Sequence, residues 1–147
     1  MKVFLVTSNL IERKGKFLLV QEGHQYAYGL WNFPSGKLED GLTLAENAVK
    51  EAREETGYRV KVKGLVGIYQ TINGEKGANV VRFLFASSIV GGKMLSKFPP
   101  DEIIQAKWFT FKEIKKIKNK LRDKYIITAI DDYKKKGALP LGIIKSR

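Results

Sequence analysis

The chain contains no cysteine. Disulfides and thiol chemistry are therefore excluded, and a reducing compartment poses no difficulty. It contains one histidine, His24. A catalytic histidine needs an orienting partner, and none is visible in the sequence. No apolar run reaches the length of a membrane span. The amino end, MKVFLVTSNLIERKGK, lacks the layout of a signal peptide and reads as a strand. There is no internal repeat, no low-complexity segment and no sign of a second domain. Together these absences point to a single domain over residues 1–147 and to a cytoplasmic location. That length is enough to bury a sizeable core.

Negative charge is also scarce. There are 15 Asp and Glu against 27 Lys and Arg, a formal charge of +12. Such a field draws polyanions and raises their encounter rate. Nucleotides, other pyrophosphates and nucleic acid all qualify, and charge alone does not separate them. The basic run Lys115–Lys124 has no interleaved aromatic platform. It reads as a solvated helix face rather than a nucleic-acid patch.

The carboxylates that matter lie between Gly36 and Tyr58, in GKLEDGLTLAENAVKEAREETGY. Thr43 with Glu46 three residues on is a capping-box pair that starts a helix. Ala45, Ala48, Val49 and Ala52 follow the i, i+3, i+4, i+7 pattern of one buried face. At roughly 100° per residue, Glu51, Glu54 and Glu55 fall in one arc about 120° from the centre of that face. Gly57 reads as the residue that ends the helix. Three carboxylates on one arc repel each other, so something positive belongs there. One answer is a hard divalent cation, which takes oxygen ligands from carboxylates and a substrate phosphate. The other is a solvated face paired with bases, Lys50 reaching Glu46 or Glu54 at i, i+4.

The same stretch resembles the box of the Nudix (MutT-type) hydrolases, G-x5-E-x7-R-E-U-x-E-E-x-G-U, where U is aliphatic. Gly36 fits the first glycine, Glu51 the glutamate after the arginine, Glu54 and Glu55 the acidic pair, and Gly57 the last glycine. Leu30, Trp31, Asn32, Phe33, Pro34 and Ser35 lead into it as in many members. Leu42 stands where the family has glutamate, and Lys50 where it has arginine. Lys50 keeps the charge but loses the planar fork, so it orients Glu51 only as a point charge. Ala52 and Tyr58 fill the aliphatic positions. The wider resemblance covers roughly residues 2 to 136.

The resemblance implies an α/β Nudix fold, a mixed sheet sandwiched between helices. It implies a metal-dependent hydrolase of nucleoside diphosphate linked to some moiety X, such as a nucleoside triphosphate, dinucleoside polyphosphate or nucleotide sugar. Mg²⁺, with Mn²⁺ as a substitute, would be held by Glu51, Glu54, Glu55 and the Gly36 carbonyl. Glu51, Glu54 and Glu102 are the candidates for catalysis. Glu102 resembles the acidic loop residue that precedes a Trp-Phe strand in several members, here Trp108-Phe109. Arg82, Trp31 and Lys37 are the candidates for holding substrate. Two of them have a plainer reading, Arg82 as the partner of a neighbouring carboxylate and Trp31 as core. Glu39 reads as a solvated loop glutamate. Two other functions stay open: a Nudix-fold nucleotide-binding or regulatory module weakened by Leu42 and Lys50, and a basic RNA-binding domain.

The remaining expectations are structural. Val3–Ile11, Phe17–Gln21, Arg59–Ile72, Val80–Val90 and Ile104–Phe111 read as strands. Residues 34–36 read as a turn. Thr110 with Glu113 starts a short helix. Leu121–Lys136 reads as a final helix with Ile126, Ala129, Ile130 and Tyr133 on one face, ended by Gly137. The tail ALPLGIIKSR is apolar enough to pack on its own domain or on a partner subunit, as in a homodimer.

Overall fold

The computed structural model describes residues 1–146, apart from the side chain of Glu75. Strand β1 (Val3–Arg13) and β2 (Lys16–Glu22) form a hairpin, followed by two short strands, β3 (Trp31–Asn32) and β4 (Ser35–Lys37). Helix α1 (Leu44–Thr56) leads into the long pair β5 (Tyr58–Thr71) and β6 (Asn79–Gly92). Then come β7 (Ile103–Thr110), α2 (Phe111–Lys116), α3 (Tyr125–Lys136) and β8 (Leu139–Pro140). The sheet is mixed. β1 runs parallel to β6, and its antiparallel neighbours are β2 and β4. No helix among the described residues is long and apolar enough to cross a membrane.

Side chains alternate across a strand with period two, and both faces of this sheet are covered. Leu10, Phe17, Leu19 and Leu84 pack with Ile126, Ala129 and Ile130 of α3 and with Ile114 of α2. Their chain neighbours Ile11 and Leu18 pack against Ala52 of α1, and Phe85 against Ala48. The sheet is thus sandwiched between α1 and the pair α2 and α3, the architecture expected. Burial on two faces is why the middle of β2, Phe17 to Val20, is a continuous apolar run.

The expected helix signals hold. Thr43 Oγ1 accepts from Glu46 N at 3.1 Å, and Glu46 Oε1 accepts from Thr43 N at 2.9 Å. Thr110 and Glu113 form the same reciprocal pair at the start of α2. Gly57 ends α1 at φ +86°, and a Cβ there would lie 2.3 Å from the Lys93 carbonyl oxygen.

Three expectations are corrected. Residues 35 and 36 are not a turn: they pair with β1 as part of β4, Ser35 opposite Ser8 and Gly36 opposite Thr7. The last helix starts at Tyr125, not Leu121. Leu121 is buried and bridges Trp31, and Asp123 Oδ1 accepts from Tyr125 N at 2.9 Å, which starts the helix later. The tail packs on its own domain. β8 pairs with β5, and Leu141 and Ile144 pack against Ala48, Leu65 and Phe85.

Candidate functional site

Two buried asparagines place α1 against the sheet. Asn9 Nδ2 donates to Ala48 O at 2.9 Å and to Pro34 O at 3.2 Å, and its Oδ1 accepts from Ser87 Oγ at 2.9 Å. Asn47 Nδ2 donates to Thr7 Oγ1 at 2.8 Å and to Lys37 O at 3.2 Å, and its Oδ1 accepts from Glu39 N at 3.1 Å. They fix β4 and the loop after it relative to the helix. Sequence reasoning missed both. The available signal was a carboxamide inside an apolar strand and another on a helix, since such groups are costly to bury unless bonded.

The carboxylates follow from that placement. Ser35 N donates to Glu55 Oε1 at 2.9 Å. The Glu51 carboxyl group lies against Gly36, so close that a Cβ on Gly36 would sit 2.2 Å from Glu51 Cδ. Both side chains are half-buried. Burial pushes the Glu51 carboxyl up to about 7, and the charge of Glu54 adds to it. Burial likewise raises Glu55 well above the usual range, against the opposing Ser35 N–H, with Glu51, Glu22 and Glu102 adding repulsion. Glu102 is exposed, yet its charge reaches both groups, and its carbonyl accepts from Gly23 N at 2.8 Å.

Glu54 does not join them. Its Oε1 accepts from Lys50 Nζ, which also donates to Glu39 Oε2 at 2.7 Å. The solvated pairing therefore applies to Glu54 and Glu39. Among the described residues, no three Asp, Glu or His side chains gather within ligand reach of one another. The donors at Glu51 and Glu55 are all oxygen, and the two carboxylates repel each other. That fits a hard cation.

These shifts set a pH dependence. A carboxyl group with a raised folded-state value binds its proton more tightly in the native chain. Its stabilising share is complete below about 4.5 and is lost as pH rises through the folded value, about 7 for Glu51. In EDTA the melting midpoint should therefore fall by about 3–6 °C between pH 5 and pH 8, allowing for solvent screening at Glu51. Mg²⁺ should recover more of it at pH 8 than at pH 5. A midpoint that is flat or rises over this range contradicts the assignment.

A cleft of about 160 Å³ adjoins this edge, lined by Ser35, Gly36, Glu22, Arg82, Arg122 and Asp123 among others. Lys37 lines it too, its Nζ 3.9 Å from the centre of the Phe4 ring. Arg82 is buried in its wall, donates to Thr71 Oγ1 at 2.7 Å and lies 3.6 Å from Asp123 Oδ2. The plainer reading of Arg82 is thus realised. Trp31 is placed in the core, edge-on to Phe109 with ring centres 4.9 Å apart. β3 pairing turns its ring inward, which is the plainer of its two readings. His24 has the orienting partner that the sequence did not reveal, Glu22 Oε2 at 3.1 Å from its Nε2.

A family model described as the NUDIX domain matches residues 4–130. Phosphatase NudJ of Shigella boydii is 32% identical over 144 residues, covering 97% of this chain and 91% of that protein. The ADP-ribose pyrophosphatase of Methanocaldococcus jannaschii is 28% identical over 113 residues, covering 77% of this chain and 65% of that protein. Several other curated relatives are longer, and the chain spans about a third of their length, 30–32%. A solved structure from Nitrosomonas europaea titled a NUDIX hydrolase superposes with a TM-score of 0.91 at 28% identity, covering 99% of this chain and 98% of that one.

Proposed function

Since the chain belongs to the NUDIX family, we propose that it hydrolyses the pyrophosphate bond of a nucleoside diphosphate linked to a further moiety X. The observation that carries this reading is the pair Glu51 and Glu55, half-buried, mutually repelling and pressed against the backbone of Ser35 and Gly36 beside a cleft. The names of relatives, ADP-ribose pyrophosphatase among them, support the same reaction class.

Glu51, Glu55 and the Gly36 carbonyl are the groups that would hold a divalent cation, Mg²⁺ or in its place Mn²⁺. When bound, such an ion neutralises charge developing on the pyrophosphate oxygens. Glu54 joins the set when Lys50 releases it. Lys50 then remains beside Glu39 as a point charge near Glu51. A carboxylate outside direct ligation, Glu51 or Glu102, would take the proton of the attacking water. Glu102, exposed and close enough to act on both groups electrostatically, is the alternative base. Lys37 stands on the cleft wall next to Gly36, in position to meet phosphate oxygens.

The test is a panel of nucleoside triphosphates, ADP-ribose, nucleotide sugars and dinucleoside polyphosphates, with Mg²⁺, Mn²⁺ or EDTA, and products identified by mass. Release of phosphate or a nucleoside monophosphate that EDTA abolishes is expected. The tie from Lys50 to Glu54 and Glu39 favours one other reading, a binding module with weakened turnover. Tight nucleotide binding without product, with turnover restored by Lys50→Arg plus Leu42→Glu, would establish that reading instead.

A further inference from the structure

The turn between β1 and β2 is built against its own local chemistry. A tight hairpin turn with positive φ at both central residues favours Asn-Gly. Here those residues are Lys14, at φ +52°, and Gly15, at φ +76°. Asparagine eases that conformation with a local hydrogen bond, which lysine lacks. Arg13 and Lys16 lie directly opposite each other across the hairpin. Like charges so placed repel. Among the described residues, no carboxylate forms an ion pair with Arg13, Lys14 or Lys16. Glu12 points to the other face of the sheet, where its charge acts on Tyr133. Glu113 is within reach of the Lys16 charge, but its carboxyl group accepts from Thr110 N at the start of α2. Three cations thus share one tip, and an anion belongs there.

Arg13 is held by aromatic rings. Its guanidinium lies 4.5 Å from the centre of the Trp108 ring and 5.5 Å from that of Tyr58, whose Oη accepts from Nη2 at 3.4 Å. The two ring centres are 6.2 Å apart, so the guanidinium lies over both rings rather than between them. Lys16 pairs with Arg13 and Leu18 with Trp108, which puts Arg13, Lys16 and Trp108 on the face of the sheet that carries α1. Trp108 is half-buried there, and the three basic residues are exposed. Together the four line a hollow of about 360 Å³. An arginine stacked in this way keeps its planar fork for phosphate oxygens and its outer face for a base. The basic run Lys115–Lys124 has charge but no such platform.

We infer that the tip of the β1–β2 hairpin is a binding site for single-stranded nucleic acid. Phosphates meet Arg13, Lys14 and Lys16, and a base stacks over Arg13 on Trp108. The site is separate from the carboxylate edge. β1 meets β4 at Val6 to Ser8, and Arg13 is five residues beyond Ser8, about 17 Å at strand spacing. An anionic membrane fits less well, because residues 13–16 carry no apolar side chain to enter it.

The experiment is fluorescence anisotropy of a labelled oligouridylate of about ten nucleotides, titrated with the full chain in EDTA. Binding is expected, its log affinity falling against log salt with a slope of about −2, from three phosphates at roughly −0.7 each. Lys14→Asn suits the turn, so its melting midpoint should hold or rise while its affinity falls by about threefold or more. Arg13→Lys keeps the charge but loses the stacked plane, and its affinity should fall by about fivefold or more. Lys118→Asn with Lys120→Asn removes more charge elsewhere and should leave affinity within about twofold. Uridine monophosphate should bind at least about tenfold more weakly than the strand, having one phosphate in place of three. No binding at about 50 mM salt overturns the inference. So does a loss in the Lys118 and Lys120 variant as large as that of Lys14→Asn, which would show diffuse attraction only. Equal affinity for the mononucleotide, or dependence on Arg13 and Lys14 seen with phosphatidylserine vesicles and not with the strand, also overturns it. EDTA keeps turnover out of this measurement, so the hydrolase reading stands or fails separately in the product panel.

Discussion

Glu55→Gln should lose nearly all hydrolysis while gaining stability. The carboxylate is half-buried, Ser35 N donates to it, and Glu51, Glu22 and Glu102 all repel it. Glutamine keeps an oxygen for the Ser35 N–H and removes the charge. A folded chain without metal is relieved of repulsion, so its melting midpoint at pH 8 should rise by about 2 °C or more. A metal site deprived of a charged ligand loses its hold on the cation, and kcat should fall by about a thousandfold. Opposite signs in the two measurements distinguish a functional carboxylate from a structural one. Retained turnover, or a lowered midpoint, would count against the assignment.

Gly36→Ala should cost activity with little loss of stability. Gly36 is not among the residues with positive φ, so the backbone accepts alanine. The new methyl group would lie 2.2 Å from Glu51 Cδ and 2.5 Å from each carboxyl oxygen. Those atoms are the end of a flexible side chain, which can swing away at small cost. Glu51 then leaves the place that β4 and α1 build for it. A displacement of about 1 Å at a reacting group costs on the order of a hundredfold. A loss of at least that size in kcat is expected, with the melting midpoint within about 2 °C of the wild type. Full activity would show that Glu51 need not lie against Gly36 during turnover.

The parts of this molecule that local chemistry decides could be read in advance. Thr43 and Glu46 begin α1 by satisfying each other's backbone, and Gly57 ends it because its conformation and the nearby Lys93 carbonyl leave no room for a side chain. The small residues Ala48 and Ala52 face the sheet as their spacing indicates. What stayed hidden depends on partners far along the chain. Glu22 meets Arg122 across a hundred residues, and Arg82 meets Asp123 across forty-one. Neither pair is implied by spacing. His24 looked unaccompanied because its partner, Glu22, sits two residues back on the end of β2. Trp31 could have faced either way. The pairing of β3 with β2 and its contact with Phe109 turned it inward. Glu54 could equally serve an ion or Lys50, and in the chain alone Lys50 prevails.

Whether the carboxylate edge of α1 takes up a cation is where the account stands or falls. The direct test is to titrate Mn²⁺ into the wild-type chain and Glu55→Gln at pH 7.5, following free Mn²⁺ by electron paramagnetic resonance. At least one ion per wild-type chain, absent or at least tenfold weaker in the variant, is the predicted result. Equal uptake by both proteins, or none by the wild type even with a nucleotide present, would contradict it.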